Sequence, residues 1–530
     1  MSFLTSFDEN VHKYPDKVAI EFIDPPLQRL TYSELDGLVN QTAGYLQSLG
    51  LQPGDRVAIQ LSKCLEFILL HLATIRLGAI SLPLNLAYPP DELKYFLEDS
   101  GAKLFFTLES SKEKIQAILS DLPALQEYVF LDPSKPEEFQ LRIAKHQQSG
   151  LDTGFADTAQ SYSTTGLQSP FSSPSDTAVI IYTSGTTGRP KGAEITHGNL
   201  ISNLQSLHEA WDWRSDDILL HVLPIFHVHG LFVALHGALH AGATALLMRE
   251  FNAQKTLELL SRGQCTVFMA VPTIHKRLLD VPNADRFDLS HVRLITSGSD
   301  RLPDELFTGF QKTFGYTLLE RYGMTETGMN CSNPLQGERR IGSVGMPLPG
   351  VEVRVVHSET EQVLSTGEIG DVQLRGPNIF KGYWKQPDKT SASFSADGWF
   401  KTGDLGYLET DGYLTLCGRS KDLIISGGLN IYPPEVERVL MEHPAVSACA
   451  VIGCPDAEWG EKVTAVVVLH GTGSVTAEEL MRFCRQKLAP YKSPKSIVFR
   501  DDLPRNAMGK VQKAELRKEV CSDNRSPDRH

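Results

Sequence analysis

Short apolar runs alternate with segments of helical periodicity, and this alternation constrains the fold more than any other feature of the chain. "TYSELDGLVNQTAGYLQSLG" opens with a Thr/Ser cap, has helical periodicity and ends at Gly50. The strand "DRVAIQL", the helix "EFILLHLATIRLGAI" and the strand "ISLPLN" follow, and apolar strands recur at "ALLMREF", "CTVFMAVP" and "VRLITSGS". Because strands separated by helices favour parallel pairing, the sequence predicts an α/β fold with largely parallel sheets.

A second pattern begins near Gly367, where Asp-Gly and Gly pairs break short strands into hairpins, as in "GWFKTGDLGYLETDGYLTLCGR". After "GRSKD", strands and helices alternate over about 110 residues, which is enough for a small α+β domain. Residues 145–175 are rich in Ser, Thr, Gly and Gln, so we expect a surface loop or a disordered insert there. The length of 530 residues also indicates more than one domain.

Composition and charge exclude several classes of protein. A net charge of −13 argues against a dedicated nucleic-acid binder. The first residues, "MSFLTSFDENVHKYPDKVAI", carry acids and no long apolar run, so we expect neither a secretory signal nor a transit peptide. The most apolar stretch, Ile218 to Leu247, contains five histidines and a proline, which argues against a membrane span. We expect a cytoplasmic protein whose eight scattered cysteines are unbonded thiols.

The segment "YTSGTTGRPKG", Tyr182 to Gly192, has the composition of a phosphate-binding loop. It differs from the P-loop pattern because its lysine follows Arg-Pro and is not followed by Ser or Thr. Glycines let backbone N–H groups turn toward an anion, the hydroxyls add donors, and Lys191 adds a positive charge. A flexible Ser/Gly turn is the alternative that composition alone leaves open.

Three further segments carry groups that suit a nucleotide. In "ERYGMTET", Tyr322 can stack on a base, Thr325 can bind a phosphate and Glu326 can hold Mg²⁺, although a plain strand-to-turn segment has the same pattern. Asp404 in "TGDLG" can accept hydrogen bonds from ribose hydroxyls, and Arg419 in "GRSKD" can donate to ribose or phosphate. "LPRNAMGKVQK" places Lys510 in a Gly-flanked turn near the C-terminus.

These motifs, in this order, resemble the adenylate-forming superfamily of acyl-CoA synthetases, non-ribosomal adenylation domains and beetle luciferases. The resemblance is carried by "YTSGTTGRPKG", "YGMTE", "GWFKTGD", "GRSKD" and "PRNAMGK", and it extends from "TYSELD" to "GKVQK". It implies a large multi-layer N-terminal domain with mostly parallel sheets and a distorted barrel, residues 1–418. It also implies a small mobile α+β C-terminal domain, residues 419–530, with a hinge near Lys421.

The resemblance implies that a carboxylate attacks the α-phosphorus of ATP to give acyl-AMP and pyrophosphate, after which a thiol takes the acyl group. Lys510 would neutralise the reacting groups, with Thr325, Glu326 and His227 as further catalytic residues, and Mg²⁺ would bind at Thr186 and Glu326. After rotation about Lys421, CoA would pass close to Gly427 and Gly428. The expected nucleotide-binding residues are Thr183, Ser184, Gly185, Thr186, Thr187, Gly188, Lys191, Gly298, Ser299, Tyr322, Asp404 and Arg419.

Within the superfamily the sequence is most similar to malonyl-CoA synthetases, through "LLHVLPIFHVHGLF", "FMAVPTIHKRLL" and the "SNPLQGERR" extension after "YGMTE". Malonate or methylmalonate would need a cation for its distal carboxylate, ideally an arginine. Arg339 and Arg340 are candidates beside Arg301 and Arg321, and His229 is read either as an acyl-site group or as a satisfied core histidine. The candidate acyl-site residues are His227, Ser297, Arg301, Arg321 and Met324.

The function predicted from the sequence is an acyl-CoA synthetase that uses ATP, Mg²⁺ and CoA on a small carboxylic acid. A short-chain, medium-chain or aromatic acid is the alternative to malonate. An acyl carrier protein acting in trans is the alternative acceptor, which would make the chain an acyl-AMP ligase. A nucleotide-binding regulatory protein without catalysis is disfavoured because Lys191, Glu326, Asp404, Arg419 and Lys510 are all present. We expect no nucleic-acid partner, and a monomer or a homodimer.

Overall fold

The computed structural model describes residues 3–148, 173–183, 189–471, 475–505 and 511–523. Most of the predicted insert, residues 149–172, lies outside these ranges. The helices within them are α1 Phe3–Lys13, α2 Tyr32–Ser48, α3 Leu65–Arg76, α4 Pro90–Ser100, α5 Lys112–Leu119, α6 Pro136–Gln148, α7 His197–Trp211, α8 Gly237–Ala241, α9 Ala253–Ser261, α10 Pro272–Leu279, α11 Asp304–Phe314, α12 Pro387–Ala392, α13 Pro433–Met441, α14 Ala477–Lys487 and α15 Lys513–Asp523.

The strands complete the framework. They are β1 Val18–Phe22, β2 Gln28–Thr31, β3 Arg56–Gln60, β4 Ile80–Pro83, β5 Leu104–Leu108, β6 Glu127–Leu131, β7 Thr177–Thr183, β8 Lys191–Thr196, β9 Ile218–His221, β10 Thr244–Leu247, β11 Val267–Ala270, β12 Leu294–Ser297, β13 Leu319–Met324, β14 Gly328–Ser332, β15 Met346–Pro347, β16 Glu352–Val356, β17 Gly370–Arg375, β18 Gly382–Tyr383, β19 Phe400–Leu408, β20 Leu414–Arg419, β21 Ile424–Ser426, β22 Leu429–Ile431, β23 Val446–Asp456, β24 Gly460–Leu469 and β25 Ser496–Phe499.

Three sheets form the large N-terminal domain. A nine-stranded sheet has the order β15-β14-β13-β12-β11-β9-β10-β1-β2, and a seven-stranded sheet has the order β18-β8-β7-β4-β3-β5-β6. Both are parallel in their centres; the nine-stranded sheet is antiparallel at both edges, and the seven-stranded sheet is antiparallel at the β18–β8–β7 edge and parallel at the β6 edge. The third sheet, β16-β17-β19-β20, is antiparallel throughout, as the Asp-Gly hairpin signals predicted. The predicted α/β class is therefore confirmed.

Two helices show how the sequence produces these layers. The side chain of Thr31 accepts the Glu34 backbone N–H at 3.2 Å, and the Glu34 carboxylate accepts the Thr31 N–H at 2.8 Å, so a capping box begins α2 where the sequence placed its start. Every residue of α3 is buried, which suits its nearly continuous apolar sequence. The guanidinium of Arg76 at its end binds Asp36 at 2.6 Å and Asp8 at 2.7 Å.

The small C-terminal domain has one five-stranded sheet, in which β22, β21, β24 and β23 are ordered side by side and β25 pairs with β24. Helices α13 and α14 pack against this sheet through Val436, Leu440 and Leu480, which are fully buried. The predicted α+β character of this part is confirmed. The boundary between residues 418 and 419 and the mobility of the domain remain predictions.

The expectation that all cysteines are unbonded is wrong for one pair. Cys454 on β23 and Cys521 on α15 form a disulfide, although 67 residues separate them. The fold packs α15 against β23, so the two side chains meet, and sequence spacing carries no signal of this pairing. The six other cysteines are free, and four of them are buried.

No helix in the described ranges combines the length and the apolar composition that crossing a membrane requires.

Candidate active site

The motifs predicted from the sequence meet at one edge of the nine-stranded sheet. Strands β11, β12 and β13 run parallel and side by side, so their carboxyl ends lie together. Ser297 ends β12 and is followed by Gly298 and Ser299, while Tyr322 and Met324 lie near the end of β13. Ligands of open α/β sheets bind outside the carboxyl ends of the strands, so this edge is where a substrate site is expected.

Asp404 is the centre of a buried polar cluster. Its Oδ2 accepts the Tyr322 hydroxyl at 2.5 Å, and its Oδ1 lies 2.8 Å from Nε of Arg419. Asp404 and Arg419 are register partners on β19 and β20, which explains how two motifs 15 residues apart present one carboxylate and one guanidinium together. Burial and the neighbouring Asp404 raise the pKa of Tyr322 well above its usual value, so its hydroxyl stays protonated.

A second cluster joins Glu326 to Lys191. The hydroxyl of Tyr383 donates to Glu326 Oε1 at 3.1 Å, and Nζ of Lys191 lies 4.6 Å from the centre of the Tyr383 ring. Burial and Glu326 raise the pKa of Tyr383 above its usual value. Tyr383 was not predicted from the sequence, where its only signal is an aromatic pair in "KGYW". Thr325 and Glu326 also line a small cavity with Val228 from the "FHVHG" segment.

The carboxylate of Glu326 fits a magnesium site that is completed by substrate. Mg²⁺ commonly binds one or two carboxylates and takes its other ligands from phosphates and water. Among the described residues, no group of three or more His, Cys, Asp or Glu side chains forms a metal site made of protein alone. A single buried carboxylate near Lys191 is the donor set expected for a metal that arrives with a polyphosphate.

The structure describes only the residues that flank 184–188 of the phosphate-binding motif and 506–510, which include Lys510. Thr183 and Lys191 face each other across the β7–β8 hairpin, and the intervening Ser184, Gly185, Thr186, Thr187 and Gly188 lie outside the described residues. Lys510 also lies outside them. On either side of it, Arg505 and Val511 form a bridge, and Lys513 forms an ion pair of 2.6 Å with Glu437 on α13.

Arg321 is the most unusual charge near this edge. Only 2% of the residue is exposed, and no hydrogen-bond partner for Nε, Nη1 or Nη2 exists among the described residues. Burial lowers the pKa of Arg321 to about 9, so the guanidinium is still protonated at neutral pH. A buried charge is costly unless a partner compensates it, so this guanidinium is suited to an anionic ligand.

His229 lies beside Arg321, and the sequence left it open between an acyl-site group and a satisfied core histidine. Its Nδ1 is 3.1 Å from Oγ of Ser299, while within the described chain its buried Nε2 has no hydrogen-bond partner. Burial, with Arg321 adding a like charge, lowers the pKa of His229 well below its usual value, so the ring is neutral.

Two other predicted acyl-site residues are also shielded from water. Ser297 is fully buried. Burial lowers the pKa of the half-buried His227 to about 4.

The other arginine candidates are directed elsewhere. Arg339 donates to the carbonyls of Thr317 and Leu335, and Arg340 pairs with Glu409 at 2.9 Å and Asp411 at 2.5 Å. Because these contacts hold both guanidinium groups elsewhere, neither Arg339 nor Arg340 lies beside Arg321 at the predicted acyl site. Arg301 points to the small domain, where Nη1 donates to the Pro434 carbonyl at 3.0 Å. The half-buried Met324 lies beside Tyr322, whose hydroxyl is 3.4 Å from its sulfur.

Gly298 gives the guanidinium of Arg321 its space. A Cβ atom at Gly298 would lie 2.6 Å from Cζ of Arg321, closer than such atoms can approach. We expect Gly298→Ala to displace Arg321 and to lower kcat/KM for the preferred acid about 10- to 100-fold. Steady-state rates of AMP release measure this effect.

Gly309→Ala is the matched control, because its Cβ would meet Leu279 at 3.4 Å, an ordinary contact. Equal kcat/KM values for Gly298→Ala and Gly309→Ala would show that the space beside Arg321 is not needed for activity.

The predicted hinge and CoA segments lie at the start of the small domain. Lys421 is in the 3₁₀ turn Ser420–Asp422, and Asp422 pairs with Arg517 of α15 at 2.9 Å. Gly427 and Gly428 have φ angles of 59° and 77° and form the turn between β21 and β22. The half-exposed Trp459, which was not predicted from the sequence, packs on this turn, since its ring would lie 3.1 Å from a Cβ at Gly427.

Family comparisons agree with this architecture over most of the chain. Residues 7–384 match the AMP-binding enzyme family, and residues 435–510 match the AMP-binding enzyme C-terminal domain. A long-chain-fatty-acid–CoA ligase of Bacillus subtilis is 34% identical, with 97% of this chain and 94% of that protein covered. The mitochondrial malonate–CoA ligase of Mus musculus is 37% identical, with 88% of this chain and 82% of that protein covered.

Solved structures extend the comparison to the whole chain. ATP-bound MatB from Rhodopseudomonas palustris is 40% identical, covers 99% of this chain and 100% of its own, and superposes with a TM-score of 0.87. The apo form of MatB, at 39% identity and with the same coverage, gives 0.76. Sequence identity is nearly the same for the two forms, and this chain superposes more closely on the ATP-bound form.

The fold and these relatives define an adenylate-forming enzyme, an acid–thiol ligase of the acyl-CoA synthetase class that uses ATP, Mg²⁺ and CoA. The chain belongs to the AMP-binding enzyme family. The recognition made from the five motifs is therefore confirmed, including the similarity to malonate-activating relatives. The roles of individual residues remain predictions.

Proposed function

We propose that this enzyme is a malonyl-CoA synthetase that also accepts methylmalonate. The observation that carries the proposal is the buried guanidinium of Arg321, which lies on β13 beside Gly298. Sequence identity alone does not decide the acid, because relatives named for a long-chain fatty acid and for malonate are similarly close, at 34% and 37%. A fatty acid has no second carboxylate, whereas a dicarboxylate supplies the anion that Arg321 needs.

The electrostatics favour a dicarboxylate over a monocarboxylate. A carboxylate accepts two parallel N–H bonds from an arginine, which satisfies donors that are otherwise buried. A monocarboxylate in the same position would leave the charge of Arg321 without an anion, and sites with buried polar groups reject such analogues strongly. His229 is neutral, so it can donate or accept one hydrogen bond without adding a second charge.

In the first half-reaction, most of the work is positioning and charge stabilisation. We propose that Asp404 accepts hydrogen bonds from the ribose of ATP, that Arg419 holds Asp404 in place, and that Tyr322 packs on the base. Lys191 and the hydroxyl-rich loop before it would hold the pyrophosphate that leaves, and Glu326 would hold Mg²⁺. Lys510 would be delivered by the small domain to the reacting carboxylate and α-phosphate.

A panel of acids tests the proposed substrate. Malonate, methylmalonate, acetate, octanoate, palmitate and benzoate are each supplied with ATP, Mg²⁺ and CoA, and AMP release and acyl-CoA are both measured. We expect malonate to give the highest kcat/KM, with methylmalonate next. A higher value for octanoate or benzoate would replace malonate as the substrate, and AMP release without acyl-CoA would favour a carrier protein as acceptor.

Gly428 tests the proposed CoA route. Its φ of 77° is a left-handed conformation, and apart from its chain neighbours no atom of the described residues would lie within 4 Å of a Cβ added there, so the space beside it is open to a pantetheine arm. We expect Gly428→Leu to lower the rate of thioester formation about 10-fold or more while adenylate formation changes little. Pyrophosphate exchange and single-turnover transfer from acyl-AMP separate the two half-reactions.

Gly412→Leu is the matched control for backbone strain. Gly412 has a φ of 89° and similarly open surroundings within the described part of the chain, but it lies in the β19–β20 hairpin. If both variants slow the CoA step equally, strain rather than a blocked route explains the loss.

Further parts of the proposal concern assembly and location. We propose that CoA is bound at the Gly427–Gly428 turn and Trp459, which form an exposed surface beside the hinge. Residues 1–418 and 419–530 are proposed as the two domains, with rotation at Lys421. A cytoplasmic location and a monomeric or dimeric state are also proposed, and cell fractionation and sedimentation measure them.

A further inference from the structure

The loop of residues 298–303 connects the acyl side of the site to the small domain. Ser299 Oγ lies 3.1 Å from Nδ1 of His229, and the backbone N–H of Leu302 donates to Glu320 Oε1 at 3.0 Å. Both contacts belong to the large domain. The backbone of Arg301, which lies between them, is therefore held on the large domain while its side chain extends outward.

The side chain of Arg301 reaches the first turn of α13. Its Nη1 donates to the carbonyl of Pro434 at 3.0 Å, and its Nη2 lies 3.8 Å from Oδ1 of Asp304. The neighbouring carboxylate of Glu435 is already paired with Lys492, at 2.7 and 2.9 Å. Arg301 therefore contacts α13 through the Pro434 carbonyl and not through this carboxylate.

Pro434 is also contacted from a second side. Its Cδ would lie 3.3 Å from a Cβ at Gly418, which is on β20 next to Arg419. One residue of the small domain is therefore held between the end of β20 and the loop that carries Ser299. Two separate parts of the large domain, both adjacent to predicted substrate-binding residues, meet at this point.

We propose that Arg301 is a positioning residue for adenylate formation, holding the small domain in the orientation seen here through the Pro434 carbonyl. The inference rests on the proposed delivery of Lys510 by the small domain. We assign this orientation to the ATP-dependent step; the chain superposes on the ATP-bound relative with a TM-score of 0.87 and on its apo form with 0.76. Release of Arg301 from Pro434 accompanies the rotation that precedes the CoA step.

The contact is suited to a reversible attachment. A charged donor binds a carbonyl more strongly than a neutral donor does, but a guanidinium at the beginning of a helix also faces the positive end of the helix dipole. Arg301 is 39% exposed, so water competes for the same hydrogen bonds. We therefore expect its loss to slow adenylate formation about three- to tenfold, a much smaller effect than loss of a catalytic group.

The test compares Arg301→Ala with Arg301→Lys and with Arg214→Ala. Arg214 is an exposed arginine of the same domain that pairs with Asp212, so it controls for the loss of a surface charge. Pyrophosphate exchange gives kcat and KM for the acid that the wild-type enzyme uses best, and single-turnover transfer from supplied acyl-AMP gives the CoA step. Hydrogen–deuterium exchange of residues 298–303 and 432–441 reports the contact itself.

We expect Arg301→Ala to lower kcat for adenylate formation with unchanged KM for the acid and an undiminished CoA step. Arg301→Lys should recover part of the rate, and exchange should rise in both segments only in Arg301→Ala. An unchanged kcat, or equal losses in both half-reactions, would overturn the proposal. A raised KM for the acid at unchanged kcat would make Arg301 an acyl-site ligand instead. Because the acid is chosen by wild-type activity, an error in the proposed substrate leaves this comparison intact.

Discussion

Replacing Lys510 by alanine should slow adenylate formation about 10²- to 10³-fold, the cost typical of removing one donor that stabilises developing transition-state charge. The reaction joins a carboxylate to the α-phosphate, so negative charge accumulates where an amino group can neutralise it. The thiol step starts from acyl-AMP and gains nothing from the same group. We therefore expect thioester formation from supplied acyl-AMP to stay close to the wild-type rate.

Pyrophosphate exchange and single-turnover transfer measure these two rates separately. Lys518→Ala is the control, since Lys518 is an exposed lysine on α15, the helix that follows the Lys510 turn. A loss shared equally by both half-reactions would indicate damage to the small domain rather than removal of a catalytic charge. The flanking contacts, a bridge between Arg505 and Val511 and the ion pair of Lys513 with Glu437, do not involve the Lys510 side chain, so the substitution should leave them intact.

Local sequence signals were sufficient for the architecture. The capping box at Thr31 and Glu34, the continuous apolar sequence of α3 and the Asp-Gly hairpins each depend on residues close together in the chain. These signals give the elements and their order because capping, burial and turn geometry are decided locally. Five ordered motifs then identified the family.

Contacts between residues far apart in the chain could not be predicted from local sequence signals. Cys454 and Cys521 were expected to be unbonded, since only the packing of α15 on β23 brings them together. Tyr383 and Trp459 were missed because an isolated aromatic residue carries no periodic signal. Arg321 was one of four arginine candidates, and only burial and hydrogen bonding separate it from Arg339 and Arg340, which bind elsewhere.

Arg321 gives the second prediction of large effect, because removing it should lower activity on malonate without lowering the stability of the enzyme. Methionine is unbranched and apolar, so Arg321→Met removes the buried charge with little change of shape. Replacing buried charged groups by apolar ones is often neutral or stabilising by about 1–4 kcal/mol, and we expect a free energy of unfolding that is equal or higher without substrate. For malonate we expect kcat/KM to fall about 10²- to 10³-fold, since truncating one partner of a buried charge pair costs about 2–5 kcal/mol.

Denaturant unfolding and steady-state kinetics measure the two effects, and thermal shift with malonate links them. A ligand that binds only the folded state raises its stability, so malonate should raise the Tm of the wild-type enzyme and not that of Arg321→Met. Arg321→Lys keeps the charge without the planar pair of donors and should recover only part of the malonate activity. Octanoate and acetate should lose no activity in Arg321→Met. If Arg321→Met unfolds more easily and loses all acids equally, the guanidinium is a structural group, and the preference for a dicarboxylate must arise from other residues.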